Sequence, residues 1–423
     1  MWEKLSQIWK IKDLRNKILF ILGMLVIFRF AAHIPIPGIN AANLKDFFNS
    51  NQVLGLLNIF SGGGLENFSI IMMGVAPYIT SSIIFQLLGM IIPKLEEMSK
   101  DPAGQKKINM YTRILTVPLC LLQGYGMISM IRHSSQGILG DVTVFQLVAM
   151  LIVMTAGTIF LMWLGELITE KKIGNGISLL IFSGIVARIP TALQEVVVNF
   201  SQEQVVKLAL FTLIALITVV GVVIITEGQR NIPISYAKRI RGTKMYGGTN
   251  THLPLRVNQA GVIPIIFAIS IILFPTMIAQ FMIQAGNPLV HSIGQGVINL
   301  FNNQLFYGVL YFVFVFGFTY FYTAVIFHPA QIAENLQKNG GFIPGIRPGT
   351  HTAEYLQNII SRITLTGALF LALIAVLPLF LRQATGMNSM VIGGTSILIV
   401  VSVVIETIKQ IDAQMTMRDY EGF

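Results

Sequence analysis

The chain has 423 residues, of which 54% are hydrophobic and 11% charged, and its formal net charge is +10. A soluble chain of this length carries about 25% charged residues, so a water-soluble globular enzyme is excluded and a polytopic membrane protein is indicated. The single cysteine, Cys120, lies in an apolar run, which excludes a disulfide framework and a Cys-rich metal site.

In chain order, the first 17 residues hold Lys4, Lys10, Lys12, Arg15 and Lys17. No small-residue cleavage site closes the apolar run that follows, so no removable leader is expected. A hydrocarbon core of about 30 Å takes roughly 20 apolar residues as helix. Ten stretches read as spans: 18–34, 68–92, 114–131, 143–168, 177–193, 205–226, 258–283, 305–327, 363–381 and 390–408. The fifth is apolar only from Ile177 to Ala187, before Arg188 and Pro190. A helix that short suits the inside of a protein bundle better than contact with lipid.

The second span has a broken front end. Ser61, Gly62, Gly63 and Gly64 precede Glu66 and Asn67, and Pro77 follows inside the span. Glycine costs about 1 kcal/mol per helical position relative to alanine. Non-helical backbone at membrane depth is tolerated only against protein or water. Residues 60–68 are therefore expected inside the bundle, at the mouth of a cavity, loosely held and able to move, the alternative being an ordinary extracellular loop.

Two segments between later spans, 227–257 and 328–362, are long and rich in Gly, Pro and basic residues. Long ordered loops carry function. Basic ones suit an acidic partner, RNA phosphates or anionic lipid headgroups. Lys and Arg also set the orientation. Five precede the first span, five lie in 93–113, two in 169–176, six in 227–257, three in 328–362 and two after the tenth span, together 23 against 5 on the other side. Both termini are therefore expected in the cytoplasm. Ten spans divide into 1–193 (spans one to five) and 194–423 (spans six to ten, with both basic loops). Five is odd, so the second set enters from the opposite side, as in an inverted repeat with a working site between the halves.

Charge within the spans is sparse. Arg29 and His33 lie late in span one and Glu166 near the end of span four, where pairing or snorkelling accounts for them. No span holds an aspartate pair, no HExxH motif occurs, and no Ser/His/Asp set can be placed at membrane depth. An intramembrane enzyme lacks its constellation, no cofactor or metal is implied, and a secondary transporter would need a polar site at the midplane.

Several long stretches carry a resemblance: 59–88 (IFSGGGLENFSIIMMGVAPYITSSIIFQLL), 164–186 (LGELITEKKIGNGISLLIFSGIV), 234–268 (ISYAKRIRGTKMYGGTNTHLPLRVNQAGVIPIIFA), 339–356 (NGGFIPGIRPGTHTAEYL) and 393–401 (GGTSILIVV). With these the chain resembles, over essentially its whole length, the SecY family of central subunits of bacterial protein-conducting channels. The resemblance implies an all-α fold of ten transmembrane helices in two inverted halves around a pore, in the bacterial plasma membrane. It makes Phe60, Ser61, Gly62, Gly63, Gly64, Leu65, Glu66 and Asn67 a plug and the rest of the segment a lining helix. It maps a pore ring onto Val75, Ile79, Ile177, Ile181, Ile266 and Ile399, all aliphatic. Such a ring gates by dewetting. Val75 stands where bacterial members often have isoleucine. Spans two and seven should face each other across a lateral gate flanked by spans three and eight, with Thr80, Gln86, Asn258 and Ser270 along it.

The same resemblance gives the basic loops to the SecA motor or the ribosome, with Lys238, Arg239, Arg241, Lys244 and Arg347 as docking residues. Thr243 stands where many relatives are basic, and Arg241 where many are apolar. Further implied partners are the small membrane subunits SecE and SecG, and signal peptides with the nascent polypeptides they lead. The implied function is passage of unfolded polypeptide across the membrane and sideways release of apolar helices into lipid.

Overall fold

The computed structural model describes residues 9–36, 61, 63–65, 67–132, 143–191, 194, 204–236, 239–241, 244–246, 250–283, 287–385 and 394–421. Each of the ten expected spans contains a helix: α1 (Lys12–Ala31), α2 (Ala76–Ile91), α4 (Pro102–Arg132), α5 (Val144–Glu170), α6 (Gly176–Val186), α7 (Gln204–Glu227), α8 (Ile263–Ile283), α10 (Gln304–Ile326), α12 (Thr350–Thr385) and α13 (Gly394–Glu421). Three shorter helices connect them: α3 (Pro93–Lys100), α9 (Pro288–Asn302) and α11 (Pro329–Lys338). Among the described residues, six helices are long and apolar enough to cross a membrane, or seven when the bent pair α2 and α3 counts as one. That pair turns through 113°. Ile92 at the joint is extended, with ψ 108°, because Pro93 follows it.

The helices overrun the expected spans on the side of the basic loops. α4 starts 12 residues before position 114, and α12 starts 13 before 363. With 36 residues, α12 is about 54 Å long, far more than the hydrocarbon needs, so its first turns stand outside the membrane. Apolar periodicity marks the lipid-soluble part of such a helix and not its stalk. The short α6 is as expected: 11 residues, roughly 17 Å, packed by α1, α5 and α13. It meets α5 backbone to backbone. A Cβ on Gly176 would stand 1.8 Å from the Gly165 carbonyl oxygen, so the crossing requires glycine. By contrast α7 exposes Val206, Leu213, Ile217, Val220 and Ile224, the pattern of a helix at the lipid-facing edge.

One apolar core crosses the two halves. Leu14, Ile21 and Phe28 of α1, Leu161 and Leu164 of α5, Leu180 and Ile185 of α6, Ile265 and Ile272 of α8, Tyr307 and Tyr311 of α10, Leu371 of α12 and Val403 of α13 belong to it. A second core joins Leu65, Phe68 and Met72 to Met127, Ile128 and Ile131 of α4 and Met150 and Met154 of α5.

The fold is helical apart from the basic loops, where sequence reading expected no strands. β1 (Gln229–Tyr236), β2 (Arg239–Arg241), β3 (Lys244–Tyr246) and β4 (Asn250–Arg256) come from the first loop, and β5 (Gly341–Phe342) from the second. β1 pairs antiparallel with β4 from Gln229↔Arg256 to Ser235↔Asn250, and with β5 at Ser235↔Phe342 and Tyr236↔Gly341. Ile232 and Ile234 point inward on alternate positions. Pro233 takes the exposed position between them, where β1 pairs only with β4, the place a strand accepts proline. Beneath the sheet, Ile232, Leu255, Ile343, Leu356, Ile359 and Ile360 form a third core. The two loops are thus one unit, seated on the protruding start of α12.

Candidate functional site

The segment before α2 is a string of turns. The expected lining helix over 68–92 is therefore corrected: residues 67–75 are non-helical and the helix begins at Ala76. Three positive φ angles account for it, at Gly63 (84°), Phe68 (43°) and Gly74 (56°), together with Pro77, which opens α2 at its first turn. The turns are tied down. Ile36 N–H donates to the Phe68 carbonyl at 2.9 Å and Ile70 N–H to the Ile34 carbonyl at 3.0 Å. Leu65 N–H donates to Ser61 Oγ at 3.1 Å, and Ser69 Oγ donates to the Gly64 carbonyl at 3.2 Å. Asn67 Nδ2 donates to the Ala32 carbonyl at 3.4 Å. Ser61, Leu65 and Phe68 are buried. The expectation of a loosely held plug is thereby modified: where described, it is seated in its own apolar core. Phe60, Gly62 and Glu66 lie outside the described residues.

α5 is shaped to receive this seat. A Cβ on Gly157 would fall 2.0 Å from the Ile70 carbonyl oxygen. Sequence reading passed over Gly157, because a lone glycine in an apolar helix carries no local signal.

All six aliphatic residues belong to the main apolar core or pack against it. Val75, Ile181 and Ile399 are buried members of the main core, and Ile79, Ile177 and Ile266 pack against it from half-buried positions. Four elements supply them: the start of α2, α6, α8 and α13. Val75 is the residue before α2, and Ile79 N–H donates to its carbonyl at 3.0 Å. Ile177 leans on α5, since a Cβ on Gly165 would stand 2.7 Å from its Cδ1.

Along the seam, α8 packs against both α2 and α4. Thr80 is buried and donates to the Ala76 carbonyl at 3.0 Å. Gln86 Nε2 donates to Ser82 Oγ at 3.1 Å, and Asn258 Nδ2 to the Gly261 carbonyl at 3.1 Å. Ser270 is half-buried on α8. A contact missed by sequence reading closes the far end of the seam: the rings of Tyr125 on α4 and Phe281 on α8 stack with centroids 5.8 Å apart and 8° between planes.

α13 grips the turn between α5 and α6. Gln410 Oε1 accepts from Gly174 N–H, and Gln414 Nε2 donates to the Lys172 carbonyl at 2.6 Å. Lys17 of α1 donates to Gln414 Oε1 at 3.3 Å. Lys172 and Gly174 both have positive φ, 58° and 92°, so this tight turn presents its backbone outward to the two glutamines.

In the basic unit, Arg347 is exposed on a turn anchored by buried Ile343. Ile346 N–H closes on the Ile343 carbonyl at 3.0 Å, and Thr352 Oγ1 donates to the Arg347 carbonyl at 2.9 Å. Gly345 and Gly349 supply the positive φ that the turn demands. Nearby, Lys338 pairs with Glu334 along α11 at 2.7 Å, holding that carboxyl below its usual range. Arg239, Arg241 and Lys244 fall on β2 and β3, and Lys238 lies outside the described residues. Arg230 and Arg256, exposed on β1 and β4, add basic positions not singled out from sequence.

The SecY family model matches residues 69–408. The chain belongs to the SecY family. The protein translocase subunit SecY of Mycobacterium bovis is 45% identical, with 97% of each chain covered. The protein translocase subunits SecY of Streptomyces coelicolor (44%, covering 99% of this chain and 98% of the relative) and Halalkalibacterium halodurans (43%, covering all of both) are similarly near. Solved structures share the fold at lower identity. One described as a protein conducting channel superposes with TM-score 0.64 at 17% identity, covering 94% of this chain and 92% of that one. Canine Sec61 from a ribosome-channel complex gives 0.62 at 17%, with the same coverage. The SecY membership of the chain leaves the secondary-transporter reading without support.

Proposed function

We propose that this chain is the pore subunit of a translocase, passing unfolded polypeptide through the bundle and releasing apolar helices sideways between α2 and α8. The observation that supports the reading is that Val75, Ile79, Ile177, Ile181, Ile266 and Ile399 all belong to or pack against one apolar core, with the turns before α2 seated in a second core and few polar groups where α8 packs on α2. An aliphatic constriction excludes ions by drying and offers a passing chain no hydrogen bonds to break. In this reading the chain performs no bond chemistry; the free energy for movement comes from a partner.

The finer reading has ten spans in two inverted halves, 1–193 and 194–423, with both termini cytoplasmic in a bacterial plasma membrane. The 23 to 5 distribution of Lys and Arg supports that orientation. The fused β unit, with exposed Arg347, Arg230 and Arg256, forms the docking face for the SecA motor or the ribosome. Sec61, which shares the fold, occurs in a ribosome-channel complex. SecE and SecG cover part of the lipid-facing surface, and signal peptides enter at the seam where Thr80, Gln86, Asn258 and Ser270 lie. Anionic lipids meet the basic side.

The ring is tested by changing Ile181 and Ile266 together to Asn. Wetting the constriction raises resting ion conductance in planar bilayers while the protein remains folded. Conductance equal to the parent's in the double variant places the seal elsewhere.

A further inference from the structure

Helix α9 has three faces. Gly294 is buried against α8, where a Cβ would meet the Ala279 carbonyl oxygen at 2.8 Å and side chains of Met282 and Ile283 at 3.0 and 3.1 Å. A second face is polar and exposed: His291, Gln295 and Asn299 lie one helical turn apart, with Gln295 Nε2 donating to Asn299 Oδ1 at 3.2 Å. The third face is apolar and exposed. Leu289, Ile293 and Leu300, at spacings of four and seven residues, are 75%, 57% and 53% accessible, which places them on one stripe. The sequence from 284 to 304 contains no Lys, Arg, Asp or Glu.

The ends of the helix fix where this stripe can be. α8 begins next to the basic β unit and ends at Ile283, at its opposite end, so α9 follows on the side of the bundle away from the basic loops. Only Asn303 separates α9 from α10, and its side chain caps α10 by accepting from Leu305 and Phe306 N–H at 3.0 and 3.3 Å. Phe301 and Phe306 stack edge to face at 5.7 Å across that joint. Just past it, α10 turns exposed Leu305, Val309 and Val313 outward, the lipid-facing surface of a span. A helix tethered at both ends to membrane spans, uncharged, apolar on one exposed side and polar on another, has the attributes of an interfacial helix.

We propose that α9 lies in the bilayer surface on the side away from the basic loops, with Leu289, Ile293 and Leu300 sunk at the headgroup–acyl boundary and Gln295 and Asn299 in water. Its occupant is lipid, continuous with the lipid around α10. Because Gly294 fits against the last turns of α8, the helix ties the end of that span to the plane of the bilayer, and a movement of α8 at the seam carries α9 along the surface. The placement goes beyond the conducting role and would stand if α8 proved not to move.

The test uses the whole chain, with whatever small subunits accompany it, in phosphatidylcholine–phosphatidylglycerol vesicles. In a Cys120→Ala background, single variants Leu289→Cys, Ile293→Cys, Leu300→Cys, Gln295→Cys and Asn299→Cys carry nitroxide labels. All five positions are exposed, so the substitutions leave the core intact. The first three labels should collide severalfold more with membrane-dissolved oxygen than with an aqueous nickel chelate, and the last two should show the reverse. Two outcomes overturn the proposal. Chelate access equal at all five puts the helix in water. Shielding of the apolar three from both reagents means protein covers the stripe, a second copy if the shielding fades on dilution into excess lipid and a tight subunit if it does not.

Discussion

Gly157→Ala tests whether the seated segment before α2 acts as the proposed plug and is part of the seal. The added methyl would sit 2.0 Å from the Ile70 carbonyl oxygen, 2.8 Å from its carbon and 3.2 Å from Ile71 Cα. Carbon–oxygen contacts close near 3.3 Å, so one backbone must retreat by about 1.3 Å. Nothing flexible can absorb this, because every opposing atom is main chain. The turn is itself held by the Ile70 to Ile34 hydrogen bond at 3.0 Å. Overpacking of this kind costs about 1–3 kcal/mol, charged almost wholly to the seated state. That raises the population of the unseated plug roughly 5- to 150-fold. The assay is resting conductance of reconstituted channels in planar bilayers, with thermal unfolding as the check on folding. Gly317→Ala on α10, where a methyl meets nothing within 4 Å, is the control and should leave conductance at the parental level. Folded Gly157→Ala channels as tight as the parent would refute the reasoning.

Two further outcomes are expected. Arg347→Glu should abolish motor- or ribosome-driven transport into vesicles while membrane levels stay normal, since the Arg347 side chain is exposed and the turn is held through its backbone carbonyl; normal transport at normal level would remove this turn from the proposed docking face. In a Cys120→Ala background, cysteine pairs scanned around Thr80 and Ser270 should cross-link under mild oxidation, which needs Cα atoms within about 7 Å, and should stop transport until reduced; a locked pair that still transports would show that the seam need not open.

Much of this was legible because lipid restricts the choices. Every expected span holds a helix, and the shortness of α6 followed from the position of Arg188 and Pro190. The six aliphatic positions share one core, but their pattern alone equals ordinary packing; family motifs singled them out. What escaped reading has physical reasons. The turns at 67–75 are apolar enough to pass for helix, and Phe68 in the left-handed region is invisible to periodicity. The β unit escaped because β1 and β5 pair across more than a hundred residues, and a two-residue strand has no pattern of its own. α9 escaped because a helix whose apolar side is shared between protein and lipid reads as a mildly apolar loop.

The hydrogen bonds of α2 separate a side built to hold from one able to part. Ser81 donates to the Thr112 carbonyl on α4 at 2.7 Å, so pulling α2 from α4 would strand a buried hydroxyl where no water replaces its partner, at a cost of about 1–3 kcal/mol. Its neighbour Thr80 is spent on Ala76 of its own helix. Gln86 Nε2 donates to Ser82 of its own helix, and Asn258 Nδ2 closes its own turn on the Gly261 carbonyl, while Asn258 Oδ1 is buried without a partner among the described residues. Separation of α8 from α2 therefore breaks none of these bonds. It costs dispersion contacts and the Tyr125–Phe281 stack across α4 and α8, an interaction of about 0.5–1.5 kcal/mol beyond area burial. An apolar helix arriving in the seam can offer dispersion contacts in return, whereas it could not replace a lost carbonyl. With the Thr80, Gln86 and Asn258 bonds kept within their own helix or turn and the cross-helix Ser81 bond on the α4 side, α2 and α8 can part without breaking any of these hydrogen bonds.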